Sequence, residues 1–151
     1  MSRGTEILYK GSRITGKHDT PECEPIYLTN AFNVSDLDEL DFVYDGGGYA
    51  YNRTCNPNRT LLAESMTYLE GGEDTLICNC GMSAITTALQ TLVKAGDHIL
   101  SDRTLYGETI DVISRVLGKF GVEVTYIDFA DLDQVRAGIR PNTRVLYTET
   151  E

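Results

Sequence analysis

The feature that most limits what this chain can fold into is the stretch 75–92. Here an apolar run, Leu76-Ile77-Cys78, passes through Asn79-Cys80-Gly81 into Met82-Ser83-Ala84-Ile85-Thr86-Thr87-Ala88-Leu89. The run has the length of a strand, and Met82, Ile85, Leu89, Leu92 and Val93 recur on one face at helical spacing, so the stretch reads as strand, glycine turn, helix. The first amides of a helix lack intrahelical acceptors and sit at the positive end of its dipole. Such a turn is a phosphate site when no side chain blocks it. Gly81 has none, although a glycine at this kind of turn also serves chain geometry alone, and these residues by themselves leave both readings open.

The alternation continues downstream. Ala95-Gly96-Asp97 closes the helix and residues 98–101 read as a short strand. Thr104-Leu105-Tyr106-Gly107 leads into a helix with Ile110, Ile113, Val116, Leu117 and Phe120 inward, which Gly121 ends. Val122-Glu123-Val124-Thr125-Tyr126-Ile127 is a strand, residues 131–137 a short helix carrying Leu132 and Val135, and Arg144-Val145-Leu146-Tyr147-Thr148 a further strand. Strands alternating with helices give an α/β class whose strands are mostly parallel, with right-handed crossovers and ligands at the strands' carboxyl ends. About four strands are read, fewer than a doubly wound sheet usually holds, and the last runs into Glu149-Thr150-Glu151, so the chain reads as cut short.

The N-terminal part is different. Residues 1–23 are polar and irregular, and Glu24-Pro25-Ile26-Tyr27-Leu28-Thr29-Asn30-Ala31-Phe32 reads as an extended arm that must pack on something else. Ser35, followed by Asp38 and Glu39, predicts a capped short helix over 36–42 with a solvated acidic face. Asp45-Gly46-Gly47-Gly48 is a hinge, and Tyr49-Ala50-Tyr51-Asn52-Arg53-Thr54-Cys55-Asn56-Pro57-Asn58 mixes aromatics, an arginine and turn residues outside any period, as ligand-contacting loops do. Asn56 and Pro57 suit an N-cap and first helical position, opening a helix whose apolar face is Leu62, Met66 and Leu69 and which stops at Gly71-Gly72. Residues 1–48 are thus an arm and hinge, and residues 49–151 the start of the α/β domain.

Composition excludes several classes. A formal net charge of −10 leaves no basic cluster for a phosphate backbone, which argues against nucleic acid. No apolar run nears the eighteen or so residues of a membrane span, and Met1-Ser2-Arg3-Gly4-Thr5-Glu6 has no apolar signal core, so a cytoplasmic location is expected. Cys23, Cys55, Cys78 and Cys80 form no CxxC pair and are expected to be buried free thiols. His18 and His98 have no second ligand at metal spacing, and no metal site is expected.

Four pieces now combine in order: Tyr51-x-Arg53-x-x-Asn56-Pro57, Leu69-Glu70-Gly71-Gly72, Gly81-Met82-x-Ala84-Ile85, and Gly96-Asp97-His98 followed by Leu105-Tyr106-Gly107. Together they resemble the Cys/Met-metabolism family of pyridoxal 5'-phosphate (PLP) enzymes, which includes cystathionine γ-synthase, cystathionine γ- and β-lyases, methionine γ-lyase and O-acetylhomoserine sulfhydrylase. The likeness runs from about residue 25 to residue 149 but covers well under half of a family member. It implies an aminotransferase-like (fold type I) PLP domain, of which this chain is the N-terminal arm plus the first part.

The resemblance implies roles for five residues. Gly81 and Met82 would be backbone donors to the cofactor phosphate. Tyr51 and Arg53 would reach the neighbouring subunit's phosphate across an active-site dimer, where a planar guanidinium donates two hydrogen bonds at once. Tyr106 would lie over the pyridine ring and assist proton movement or leaving-group departure, so Tyr106 and Tyr51 are the catalytic candidates. The family's Schiff-base lysine, ring-nitrogen aspartate and carboxylate-binding arginine fall downstream of Glu151, and Lys94 and Lys119 match none of them.

The implied activity is γ-elimination or γ-replacement on sulfur-containing or O-activated homoserine-type amino acids, in a homo-oligomer that is expected to be a tetramer of two active-site dimers. The alternative is a truncated, non-catalytic module that binds phosphate or PLP or serves in assembly. A nucleotide-binding Rossmann-like domain fits the alternation but not the turn, because Asn79-Cys80-Gly81-Met82 lacks the spaced glycines of that fingerprint. Cys80 stands where family members commonly have Ser, Cys55 where a small residue is usual, and Glu151 where a Pro usually follows the Glu-Thr. Glu108 stands where methionine γ-lyases often carry Cys and many relatives carry Gly, a departure from the methionine γ-lyase pattern; it either meets a cationic substrate end or caps its helix.

Overall fold

The computed structural model describes residues 22–150; the readings of the first 21 residues, including His18, lie outside them. The chain divides into two compact units in sequence, one ending at Ile77 and the other beginning at Cys78.

In the first unit, residues 22–32 run extended and pair once, antiparallel, through Ala31 and Tyr51. Phe32 N–H donates to Ala50 O at 2.9 Å and Asn52 N–H to Asn30 O at 2.8 Å. Two asparagines tie this arm to the next helix. Asn58 accepts from Tyr27 N–H at 2.7 Å and donates to Pro25 O at 2.6 Å, while Asn56 donates to Tyr27 O at 3.3 Å. Helix α1 (Leu37–Phe42) is capped by Asp36, whose side chain accepts from Glu39 N–H, whereas Ser35 gives its backbone N–H to the Glu39 carboxylate. The cap predicted at Ser35 therefore belongs to Asp36, and the Glu39 carboxylate reaches back to the residue before the cap instead of closing a box on the cap's own amide. The chain then widens into a π turn over Val43–Gly47, where Gly46 takes φ 98°, the left-handed region that glycine enters without strain. Helix α2 (Pro57–Glu70) starts as its sequence dictates, with the Asn56 side chain accepting from Asn58 N–H and Pro57 in the first turn, and it ends on Gly71 in the left-handed region. Its expected apolar face is not buried, since Leu62 and Leu69 are exposed among the described residues.

The second unit begins with helix α3 (Gly81–Leu92) and continues through strand β1 (His98–Asp102), helix α4 (Gly107–Asp111), strand β2 (Glu123–Ile127), helix α5 (Leu132–Gly138) and strand β3 (Thr143–Tyr147). The three strands form one parallel sheet in the order β2-β1-β3, with Ile99 opposite Val124 and Val145. Residues 98–101 are fully buried, as a central parallel strand covered on both faces requires. Ile99 meets Leu89, Ile113, Leu117, Val122 and Val145 in one core. Leu100 points to the other face, toward α5, so close that a Cβ on Gly138 would fall 2.8 Å from its Cδ1.

Several expectations are corrected. Leu76-Ile77-Cys78 is not a strand: no described strand offers it ladder partners, and an apolar run without a neighbour stays extended, with Leu76 73% exposed. Three strands form among the described residues rather than about four. The helix after Tyr106 passes from α4 into a π stretch, Val112–Val116, and a 3-10 turn, Leu117–Phe120. That change of winding rotates Val116 and Phe120 off the inward face, and both are exposed while Ile113 and Leu117 are buried. Leu132 is also exposed. The thiols are free but not buried: Cys23 and Cys80 are exposed, Cys55 and Cys78 half-buried.

His98 sits at the amino end of β1 and satisfies both ring nitrogens, Nδ1 with Thr143 Oγ1 at 2.8 Å and Nε2 with Thr125 Oγ1 at 3.0 Å. Burial, aided by the Arg140 guanidinium and opposed by the Glu123 carboxylate, holds the imidazole below its ordinary 6.5. The unfolded chain then takes up a proton where the folded chain does not. Stability is therefore full above pH 6.5 and is lost as pH falls below it toward the folded value. A thermal melt followed from neutral to acid pH should show this slope, and His98→Gln should remove its His-dependent part. Independently, Gly138→Ala should destabilise the chain by about 1–3 kcal/mol through overpacking against Leu100, read from urea unfolding.

Candidate functional site

The carboxyl ends of parallel strands are where ligand-facing groups collect, because the loops leaving them are free of sheet hydrogen bonds. In the second unit β1 ends at Asp102, and β3 ends two residues before Glu149. These two carboxylates, with Thr104, Leu105, Tyr106 and Gly107, line a cavity of about 510 Å³.

The loop between β1 and α4 is shaped by those carboxylates. Asp102 Oδ1 accepts from Thr104 N–H at 3.1 Å and Asp102 Oδ2 from the Thr148 hydroxyl at 3.3 Å. Glu149 Oε2 accepts from Tyr106 N–H at 2.7 Å, while its Oε1 accepts from the Thr109 hydroxyl at 2.8 Å and the Tyr147 hydroxyl at 3.0 Å. The Tyr106 hydrogen bond, aided by those from Thr109 and Tyr147 and opposed by desolvation, holds the Glu149 carboxyl below its ordinary range. Burial, and then the bond to and repulsion from Glu149, push the Tyr147 phenol up.

Tyr106 precedes α4 as its N-cap and makes no side-chain cap; the residue is 58% exposed and lines the cavity. The Glu108 carboxylate holds the phenol above its ordinary 10.0, by hydrogen bonding to it and then by repelling its ionised form. At neutral pH Tyr106 carries its proton.

Gly81 and Met82 open α3 and do not line this cavity. Cys80 is the N-cap, its Sγ accepting from Ser83 N–H at 3.4 Å. The thiol thus serves as the cap. The helix proper begins with Ala84 N–H on Cys80 O, so the Gly81 and Met82 amides have no acceptor within it. Because α3 packs Ile85 and Leu89 against the core that holds Ile99 and then turns back into β1, it runs opposite to the strand, and its first turn lies toward the strands' carboxyl ends.

In the first unit, Tyr51 and Arg53 are brought together, the guanidinium carbon lying 5.3 Å from the Tyr51 ring centre. The turn that holds them is closed by Thr54 N–H and Cys55 N–H on Tyr51 O. Arg53 also lines a cavity of about 440 Å³ with Thr54, Arg59, Thr60, Asp74 and Leu76.

The residues that sequence reasoning passed over are Glu149, Asp102 and Thr109. A usable signal existed for the two acids, since each directly follows or ends an apolar strand at the edge where ligands collect. No signal marked Thr109, which is wholly buried beneath Glu149.

Residues 4–151 match the family described as "Cys/Met metabolism PLP-dependent enzyme". An L-methionine gamma-lyase from Fusobacterium nucleatum subsp. polymorphum is 41% identical over 128 residues, which are 83% of this chain and 32% of that protein. A cystathionine gamma-lyase from Bacillus subtilis is 43% identical over 151 residues, 99% of this chain and 38% of the relative. Among solved structures, metB from Corynebacterium glutamicum superposes with a TM-score of 0.87 at 29% identity, over 99% of this chain and 37% of that one. The chain spans about a third of the length of the curated relatives it matches.

Replacing Glu108 by Gln should bring the Tyr106 phenol back toward 10.0, and an ultraviolet titration compared with Tyr106→Phe would isolate that group.

Proposed function

The chain belongs to the Cys/Met metabolism PLP-dependent enzyme family, and from that premise we propose that it supplies the phosphate cup and ring-stacking wall of an enzyme performing γ-elimination or γ-replacement. The substrates in this reading are sulfur-containing or O-activated homoserine-type amino acids. Residues 1–48 are its arm and hinge and residues 49–151 the first part of the cofactor domain.

The observation that carries the reading is the open start of α3. Gly81 and Met82 present amides without helical acceptors at the positive end of a twelve-residue helix, and a Cβ at Gly81 would meet nothing within 4 Å. Neither a positive φ nor packing inside the chain requires glycine there. A phosphate seated on those amides does, because it needs the space a side chain would fill. When bound, PLP supplies an electron sink for carbanion formation next to the amino group of a substrate.

This chain's own groups do the rest. Tyr106 offers an exposed aromatic face for stacking and a phenol that keeps its proton at neutral pH, suited to protonating a departing group. Arg53, stacked on Tyr51, supplies a forked donor for a phosphate. In this reading the pair completes a neighbouring subunit's site, in a homodimer that pairs into a tetramer. The location proposed is the cytoplasm, in keeping with the absence, among the described residues, of a helix long and apolar enough to cross a membrane.

Gly81→Val should leave the melting temperature unchanged and weaken PLP binding about ten- to a hundredfold, the loss expected when a charged acceptor is pushed off its amide donors. Equal PLP affinity in the variant would remove the phosphate cup from Gly81. For the whole protein, methionine, cystathionine and O-acetylhomoserine should be offered in turn. Release of a 2-oxo acid and ammonia marks elimination, a new γ-substituted amino acid formed from an added thiol or sulfide without ammonia marks replacement, and turnover of none overturns the reading.

A further inference from the structure

We propose that Glu149 is a positioning residue for Tyr106, its carboxylate clamping the backbone from which the Tyr106 ring is presented to the cavity. The proposal deepens, and rests on, the reading of Tyr106 as the ring that faces the cofactor.

One carboxylate gathers three donors, two from the start of α4 and one from the end of β3: Tyr106 N–H at 2.7 Å, the Thr109 hydroxyl at 2.8 Å and the Tyr147 hydroxyl at 3.0 Å. Tyr106 is the N-cap of α4 and Thr109 its third residue. In an ordinary capping box the third helical residue reaches back to the N-cap amide through its own carboxylate. Here that residue is a threonine, and Glu149, 43 positions beyond Tyr106, supplies the carboxylate from the end of β3. The N-cap amide of α4 is thereby bonded to the residue that follows β3, while the N-cap carbonyl accepts from the Thr109 and Ile110 amides. The ring of Tyr106, released from capping, hangs from a fixed backbone atom onto the cavity wall that Glu149 also lines. The carboxyl is held below its ordinary range by these donors, so the clamp is charged at neutral pH and its bonds are charge-assisted.

The test follows the Tyr106 amide in the full chain with ¹⁵N-tyrosine labelling, the resonance being assigned by Tyr106→Phe. In wild type this proton should lie downfield. Glu149→Gln, which keeps shape and loses charge, should move it upfield. Glu149→Ala should speed its hydrogen exchange about ten- to a hundredfold at unchanged spectral dispersion, the range for a hydrogen bond to a charged acceptor. If Glu149→Ala fails to fold, the Gln variant alone decides. An amide proton indifferent to Glu149→Gln overturns the clamp.

The second arm asks whether Glu149 acts through the ring. Affinity for added PLP is compared in wild type, Glu149→Gln, Tyr106→Ala and the double variant. The double variant should bind no more weakly than Tyr106→Ala; additive losses overturn positioning through Tyr106. If wild type binds no PLP, the cofactor reading has failed, and the amide measurement still decides whether Glu149 holds Tyr106.

Discussion

The second unit depends on one constraint: β1 is hydrogen-bonded on both edges and covered on both faces. Its residues 98–101 are wholly enclosed, so every polar group they carry must find a partner inside the protein. The ladders to β2 and β3 satisfy the backbone. The threonines of those same strands satisfy the His98 ring. Only where β1 leaves the sheet, at Asp102, do its polar groups turn outward, and the candidate site starts there. The site's position follows from the burial of the strand that leads to it.

Much of this was legible in the sequence because the signals were local. Asn56-Pro57 fixed the start of α2, Gly71 and Gly121 closed their helices in the left-handed region, and the alternation of short apolar runs with helical faces gave a parallel α/β sheet. The family was legible because Gly81-Met82 and Leu105-Tyr106-Gly107 keep their order and spacing. What failed was whatever depends on a neighbour. Leu76-Ile77-Cys78 has a strand's composition but lacks a ladder partner among the described residues, and Leu62 and Leu69 have an amphipathic spacing yet are exposed. Periodicity reports what a segment would bury and is silent on what it is buried against.

The stretch after Tyr106 failed for a different reason. A uniform period of 3.6 residues places Val116 and Phe120 beside Ile113 and Leu117, but the π stretch followed by a 3-10 turn changes the angle per residue midway. Nothing in the residue types announces that change. The Glu149 contacts were hidden by separation in sequence, since a carboxylate 40 residues from Thr109 shares no local pattern with it.

The sheet's two ends carry opposite kinds of consequence for inheritance. At the amino end, His98, Thr125 and Thr143 are hydrogen-bonded to one another, and a substitution there changes how many molecules are folded at any moment. At the carboxyl end, Asp102 and Tyr106 border open space, so a side chain there can change size without displacing a packed neighbour. Tolerance to substitution is therefore graded along the 98–106 segment, and inheritance can vary its second end at less cost to the abundance of folded molecules than its first.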